Sequence, residues 1–159
     1  MFDEDGETRT GLWLMIDAPD RAAAETFIAG EGFNRAGMFG EIEIKRFVDR
    51  PPEERRQIDF VADRALRMFI CECLDSAEAA DIGKADGERD EHRETIAGRV
   101  IVGGFSVSDD GSEPFGALAI VEVEDRAAAD AFVAADPMFR AGTQRRVRIN
   151  RWRFGKSVA

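Results

Sequence analysis

The sequence lacks several features that would assign it at once to a broad class of proteins. No apolar stretch among its 159 residues approaches the ~20 residues that a membrane-spanning helix needs. The first ten residues, MFDEDGETRT, are acidic, whereas a secretory signal begins with basic residues and continues with an apolar segment. We therefore expect a cytoplasmic protein with no membrane partner.

Positive charge is also scarce. The chain has 22 Lys and Arg against 32 Asp and Glu, a formal net charge of −10. A field of that sign repels phosphate groups, so we expect no nucleic-acid partner. The one basic segment, RRVRINRWRFGK at 145–156, alternates as a strand does. Its basic side chains indicate a solvated or interface-facing strand more than an anion site.

Residues that bind metals and recognisable cofactor motifs are few. Cys71 and Cys73 are the only cysteines, His92 is the only histidine, and the C-x-C spacing on a strand points both thiols to one face. Two thiols cannot close a tetrahedral metal site, so we expect reduced core residues and no metal. No dinucleotide fingerprint, P-loop, HExxH or nucleophile elbow is present, and we predict no cofactor.

The sequence does contain an internal repeat. Residues 11–48 align without gaps on residues 116–153 at an offset of 105, with 13 identities in 38 positions. We call these segments the first copy and the second copy. Because a repeat of this length corresponds to one supersecondary unit, each copy is expected to fold in the same way.

Each copy is predicted to form strand, helix and strand. The opening strands are the short apolar runs 12–16 and 117–123, and Asp20 and Asp125 stand where helix N-caps are expected. In the last strands the apolar alternation shifts parity, which predicts a β-bulge before Trp152 and its equivalent.

The residues between the copies occur only once. Strands are predicted at 67–74 and 99–107, with a charged helical stretch at 75–97 between them. The predicted fold class is therefore α+β, a ferredoxin-like β-α-β-β-α-β unit plus an N-terminal β-α-β half-repeat. The predicted divisions are an acidic tail at 1–10, the half-repeat at 11–48, a linker at 49–66 and the full unit at 67–156.

A lone β-α-β segment cannot bury both its sheet face and its helix. We therefore predict that 11–48 completes a second sheet against the full unit, as an intrachain pseudo-dimer. In the alternative, 11–48 pairs with 67–107 in permuted order while the second copy swaps into another chain.

The segment from about 67 to 153 resembles the YciI-like (YCII-related domain) family. The motifs that carry the resemblance are Cys-Leu-Asp at 73–75, Arg-x-x-His at 89–92, Gly-Gly at 103–104, Asp-Asp-Gly at 109–111 and Asp-Pro-Met-Phe-Arg-Ala-Gly at 136–142. The resemblance implies a dimeric α+β barrel with an acid/base pair beside a cleft, here His92 and Asp136. The first copy has Glu31 and Gly32 in place of Asp-Pro, so one site per chain is expected.

These residues each have a structural alternative. An imidazole with a reference pKa of about 6.5 could move protons at neutral pH, although a lone His or an Asp-Pro helix exit also occurs for structural reasons. Arg89 and Arg140 could bind a substrate oxygen or form ion pairs. Phe105 and Phe139 could line an apolar cleft or belong to the core.

Two functions remain open from the sequence. The first is a cofactor-independent acid/base enzyme, a lyase or isomerase that acts on a small cyclic oxygenated metabolite through His92 and Asp136. The alternative is a non-catalytic module that binds a small ligand or mediates assembly. A homodimer or an intrachain pseudo-dimer is expected in either case.

Overall fold

A computed structural model describes residues 1–49, 67–73, 100–140 and 146–153 of the chain. Within them the helices are α1 (Arg21–Gly30), α2 (Gly32–Arg35), α3 (Arg126–Ala135) and α4 (Pro137–Arg140). The strands are β1 (Arg46–Asp49), β2 (Arg67–Cys73), β3 (Val100–Val107), β4 (Pro114–Val123) and β5 (Val147–Trp152). The predicted α+β class is confirmed.

The five strands form one antiparallel sheet in the order β1-β3-β4-β2-β5. Its last four members place β4 and β2 in the centre with β3 and β5 outside them, the arrangement of a split ferredoxin-like unit. This unit uses only strands that follow residue 66, and β1, from the end of the first copy, extends it along the outer edge of β3.

The first copy differs from its prediction in its opening strand. Residues 11–18 carry no strand assignment, and the described residues form a single sheet, so the predicted strand at 12–16 and the predicted second sheet are both wrong. A strand exists only where a neighbouring strand completes its hydrogen bonds, and none does so here. Of the permuted alternative, the end of the first copy does pair with β3, whereas β4 and β5 of the second copy pair with β2 within the chain. The exchange of the second copy between chains stays a prediction.

The N-terminus and the linker boundary also differ from prediction. Residues 1–10 are a structured turn rather than a simple tail, since the Asp3 amide donates to the Thr8 carbonyl at 3.0 Å. Asp49, the predicted first linker residue, is the last residue of β1. The other linker positions, 50–66, lie outside the described residues.

Helix initiation follows the sequence closely. The Asp20 carboxylate accepts from the Ala23 amide at 2.8 Å, and the Asp125 carboxylate accepts from the Ala128 amide at 2.9 Å. Each bond satisfies one of the N–H groups that the first turn of a helix leaves without a partner. Both predicted N-caps are confirmed, and α1 and α3 share their bounds at the repeat offset of 105.

Both faces of the sheet are covered, and this explains the parity shift in the last strand. One face packs with α3 around Phe69 and Phe132, and the other carries Ile120 and Trp152 beneath Trp13. β5 pairs with β2 without a register shift, so the predicted bulge is wrong. Trp152 changes parity because its strand has an apolar neighbour on either side of the sheet.

Candidate functional site

Asp136 lies where α3 ends. Its amide donates to the Phe132 carbonyl at 2.9 Å, and its own carbonyl accepts from the Phe139 amide at 3.1 Å. Pro137 follows and begins the short helix α4, since proline favours an extended conformation in the residue before it and fits the first position of a helix. The predicted position of Asp136 at the end of its helix is confirmed.

The Asp136 residue is completely buried, at 0% exposure. It stands beside an apolar cluster in which the rings of Phe132 and Phe139 meet edge to face, with centroids 6.0 Å apart. Glu72 and Glu122, the other buried carboxylates of the described residues, retain some exposure. Removing a carboxylate from water is costly unless it is hydrogen-bonded or paired, so the surroundings of Asp136 determine what its burial costs.

The two predicted aromatic residues of the site belong to this same cluster. Phe139 is fully buried within it, and Phe105 on β3 is half-buried and packs against it. The structure thus brings Phe105 and Phe139 into the same apolar cluster, and the alternative in which they belong to the core is confirmed.

Cys71 and Cys73 lie in this cluster as free, buried thiols, as predicted. Burial raises the pKa of the Cys71 thiol to about 12, with the neighbouring charges of Arg126, Asp130 and Asp136 as smaller influences. The thiolate is the reactive form of cysteine, so Cys71 is not a nucleophile at neutral pH.

Three predicted site residues cannot be placed in the same way. His92 and Arg89 lie outside the described residues, and only the backbone of Arg140, the last residue of α4, is described. The pairing of His92 with Asp136 and the substrate contacts of the two arginines stay predictions.

A polar group on the opposite sheet face did not emerge as a site from the sequence. Glu72 on β2 accepts from Lys45 Nζ at 3.4 Å, and Arg148 on β5 lies 3.7 Å from it through Nε. Arg148 also binds Glu43 through both Nη atoms, at 3.1 and 2.6 Å. Hydrogen bonds from Arg148 and then Lys45 lower the pKa of Glu43 from 4.5 to about 2.

The available signal for that group was the single carboxylate in the apolar strand RMFICEC. Glu72 stands opposite Arg148 in the sheet, and residues opposite each other share a face. Arg148 is thus part of the basic strand face that the alternation predicted, and it contacts Glu43 of the first copy. The interface-facing interpretation of that strand holds for this residue.

Metal-ligand groups and membrane-spanning helices are both absent from the part of the chain that the structure describes. It contains no group of three or more His, Cys, Asp or Glu side chains that could hold a metal ion. None of its helices combines the length and apolar character needed to cross a bilayer.

The strand order and the β4-α3-β5 connection define an α+β protein whose sheet is compatible with the ferredoxin-like type, with an additional edge strand. Residues 88–153 match the family model of the YCII-related domain. The match includes β3, β4 and β5 together with Asp136, and it confirms the resemblance seen in the sequence. No curated protein and no solved structure matches the chain.

Proposed function

We propose that the YCII-related domain carries a cofactor-independent acid/base site of lyase or isomerase type. The site acts on a small cyclic oxygenated metabolite. The Asp136 carboxylate orients the imidazole of His92 and stabilises its protonated form. His92 transfers the proton to or from the substrate. Arg89 and Arg140 bind an oxygen of the substrate, and Phe105 and Phe139 form its apolar surroundings. The observation that carries the proposal is the complete burial of Asp136 in an apolar cluster within the matched domain.

The physical reason is a balance between stability and chemistry. Burial of a carboxylate costs free energy of folding, whereas a carboxylate held away from water interacts strongly with a nearby imidazolium. Such a pair places the imidazole pKa where a proton can be taken up and returned near neutral pH. Neither effect needs a metal or a bound cofactor.

The proposal can be tested without knowing the substrate, because His92 is the only histidine. In untagged protein its imidazole gives one set of resonances, so its pKa can be read by NMR titration. We expect Asp136→Asn to lower that pKa by about one unit or more, as the loss of an adjacent carboxylate does.

Asp130→Asn is the matched control, since Asp130 is exposed and lies on α3, the helix that ends at Asp136. It should leave the His92 pKa within a few tenths of a unit. Equal shifts in the two variants would show that His92 and Asp136 do not interact, and the acid/base assignment would fall. A screen of small lactones and cyclic enols would then test turnover, which His92→Ala should abolish.

We also propose that the sheet face which the family's barrel would bury against a second chain is covered within one chain, by the N-terminal segment. Support comes from Trp13, which meets the ring of Trp152 edge to face at 6.1 Å, and from Phe47, which packs on the same sheet face. Because the N-terminal segment occupies this face, we expect light scattering to give the mass of a single chain. A stable dimer at micromolar concentration would instead favour packing between two chains.

The second candidate function is the non-catalytic one, an assembly or ligand-binding module. One observation favours it: eight of the nine large apolar residues exposed in the described structure lie in the first copy. Exposed apolar groups gathered in one segment mark a surface that takes part in binding. If Asp136→Asn leaves the His92 pKa unchanged, this candidate replaces the first.

A further inference from the structure

We propose that the first copy contains an open position for one β-strand, between residues 12–16 and 42–45, and that an extended apolar segment of another polypeptide binds there. We call this position the open strand position. It is separate from Asp136 and independent of the acid/base function.

The N-terminal turn is the first indication. The Asp3 amide donates to the Thr8 carbonyl at 3.0 Å, and 105 residues later the Ser108 amide donates to the Glu113 carbonyl at 2.8 Å. Gly6, in the first turn, has φ of 78°, and its equivalent in the second has φ of 81°. Residues 9–16 therefore leave their turn in the way that β4 leaves the second turn.

The helix of each copy is also tied to its last strand in the same way. Arg21 Nη1 donates to the Ile44 carbonyl at 3.2 Å, and Arg126 Nη1 donates to the Ile149 carbonyl at 3.2 Å. Both pairs are separated by the same number of residues and share the repeat offset. The position of residues 42–45 relative to α1 therefore matches the position of β5 relative to α3.

The contacts between the two halves repeat as well. Arg21 binds Asp109 at 3.1 Å, and Arg126 binds Glu4 at 3.4 Å. When residue i meets j′ and residue i′ meets j, the two parts are related as subunits are across a twofold axis. We infer that the turn, the helix and the last segment of the N-terminal half are arranged as they are in the full unit, although the elements between them differ.

In the full unit, β2 lies between β4 and β5. Its Cys71 is opposite Ala119 on one side and Ile149 on the other. The equivalents of those two neighbours are Leu14 and Ile44. Within the described residues no strand stands between them, and residues 11–18 and 41–45 carry no strand pairing. Among the described residues, the first copy therefore presents two segments without strand pairing, at the positions that flank β2 in the second copy.

The side chains around the open strand position are those of an uncovered core. Leu14 is 44% exposed, whereas its equivalent Ala119 is fully buried against β2. On the helix, Phe27 is 48% exposed, whereas its equivalent Phe132 is 6% exposed. The equivalent positions are buried in the second copy, where β2 is present, so a strand in the open strand position would bury Leu14 and Phe27.

The chemistry of the occupant follows from β2 and from charge. A strand that pairs on both sides gains affinity from main-chain hydrogen bonds and specificity from alternate side chains. Residues 11–45 contain six acidic and three basic residues, which disfavour an acidic partner. The segment Arg67–Cys73 has apolar side chains on both faces, as a strand that is covered on both sides needs. It also begins with a basic residue, which suits an acidic surface. We infer a partner strand of this type, supplied by another polypeptide.

The test uses the full chain and a synthetic peptide that copies residues 67–73, with both cysteines replaced by alanine and lysines added for solubility. We expect the peptide to bind, to shift the backbone amide resonances of 12–16 and 42–45, and to slow their hydrogen exchange. A peptide with proline at its central position is the control, because proline removes the N–H that strand pairing needs.

A matched pair of variants locates the binding. Leu14→Glu should weaken peptide binding at least tenfold, whereas Val147→Glu, which also places glutamate at an exposed apolar residue (37% exposed), should change it less than twofold. Failure of the peptide to perturb 12–16 and 42–45 at millimolar concentration, or equal binding of the proline peptide, would overturn the proposal. So would a peptide-free dimer in which those amides are already protected, since a second copy would then be the occupant.

Discussion

Phe27 and Phe132 occupy equivalent positions in two helices of the same bounds, yet the structure assigns them opposite surroundings. Phe132 packs against the sheet and Phe139, and Phe27 is about half exposed. Truncating a buried phenylalanine to alanine costs about 3–5 kcal/mol, because apolar burial is lost and a cavity remains. At Phe27 no closed cavity forms and about half of the burial is already absent, so we expect a loss of about 1 kcal/mol or less.

Urea denaturation followed by circular dichroism measures both losses. Phe132→Ala should lower the denaturation midpoint several times more than Phe27→Ala, with an unchanged slope in each case. The double variant should show the sum of the two losses, because the residues lie in separate helices with separate neighbours. Equal losses in the two single variants would mean that α1 is covered as α3 is, and would refute both the exposure of the first copy and the open strand position.

Three further predictions concern the ion pair, the thiol and the edge strand. Because Arg148 lowers the pKa of Glu43 to about 2, the pair stabilises the fold above pH ~4.5 and loses that effect as the pH falls toward 2. Both side chains are about 40% exposed, so solvent screening limits the effect to ~1 kcal/mol, which urea midpoints of Glu43→Gln and the natural protein at pH 7 and pH 3 would measure. Cys71 should resist iodoacetamide in folded protein at pH 8 and react once urea unfolds the chain, and reaction at the rate of an exposed thiol would contradict its burial. Gly104→Ala should cost about 1–3 kcal/mol and weaken β1 pairing, because the added methyl would meet the Val48 carbonyl oxygen, and unchanged amide exchange in β1 would count against this.

The candidate site could be predicted in part. The sequence placed Asp136 at a helix end, and the structure confirms this because Asp125 begins the helix and Pro137 limits it, two short-range effects. Its complete burial could not be predicted, because burial depends on which elements pack over the helix end. The polar group of Glu72, Lys45 and Arg148 was missed for a related reason: its members come from three strands or segments that only the sheet brings together.

The fold shows the same division. Helix caps, the turn at 108–111 and the strands of the full unit follow from local propensity and alternation, so the sequence was sufficient for them. The opening strand of the first copy was predicted from an equally good apolar run and is unpaired, because a strand is completed by its neighbours and not by its own residues.

By itself, then, the sequence determined the local structure, the order of the strands along the chain and the match of residues 88–153 to the YCII-related domain model. Tertiary structure alone decided which of two similar copies is buried. Phe132 is buried against the sheet beneath its helix, whereas Phe27 is about half exposed. The reason is that β2 occurs once in the described chain and already lies between β4 and β5. Burial is a property of the surroundings, and two nearly equal segments receive different surroundings when only one partner is present.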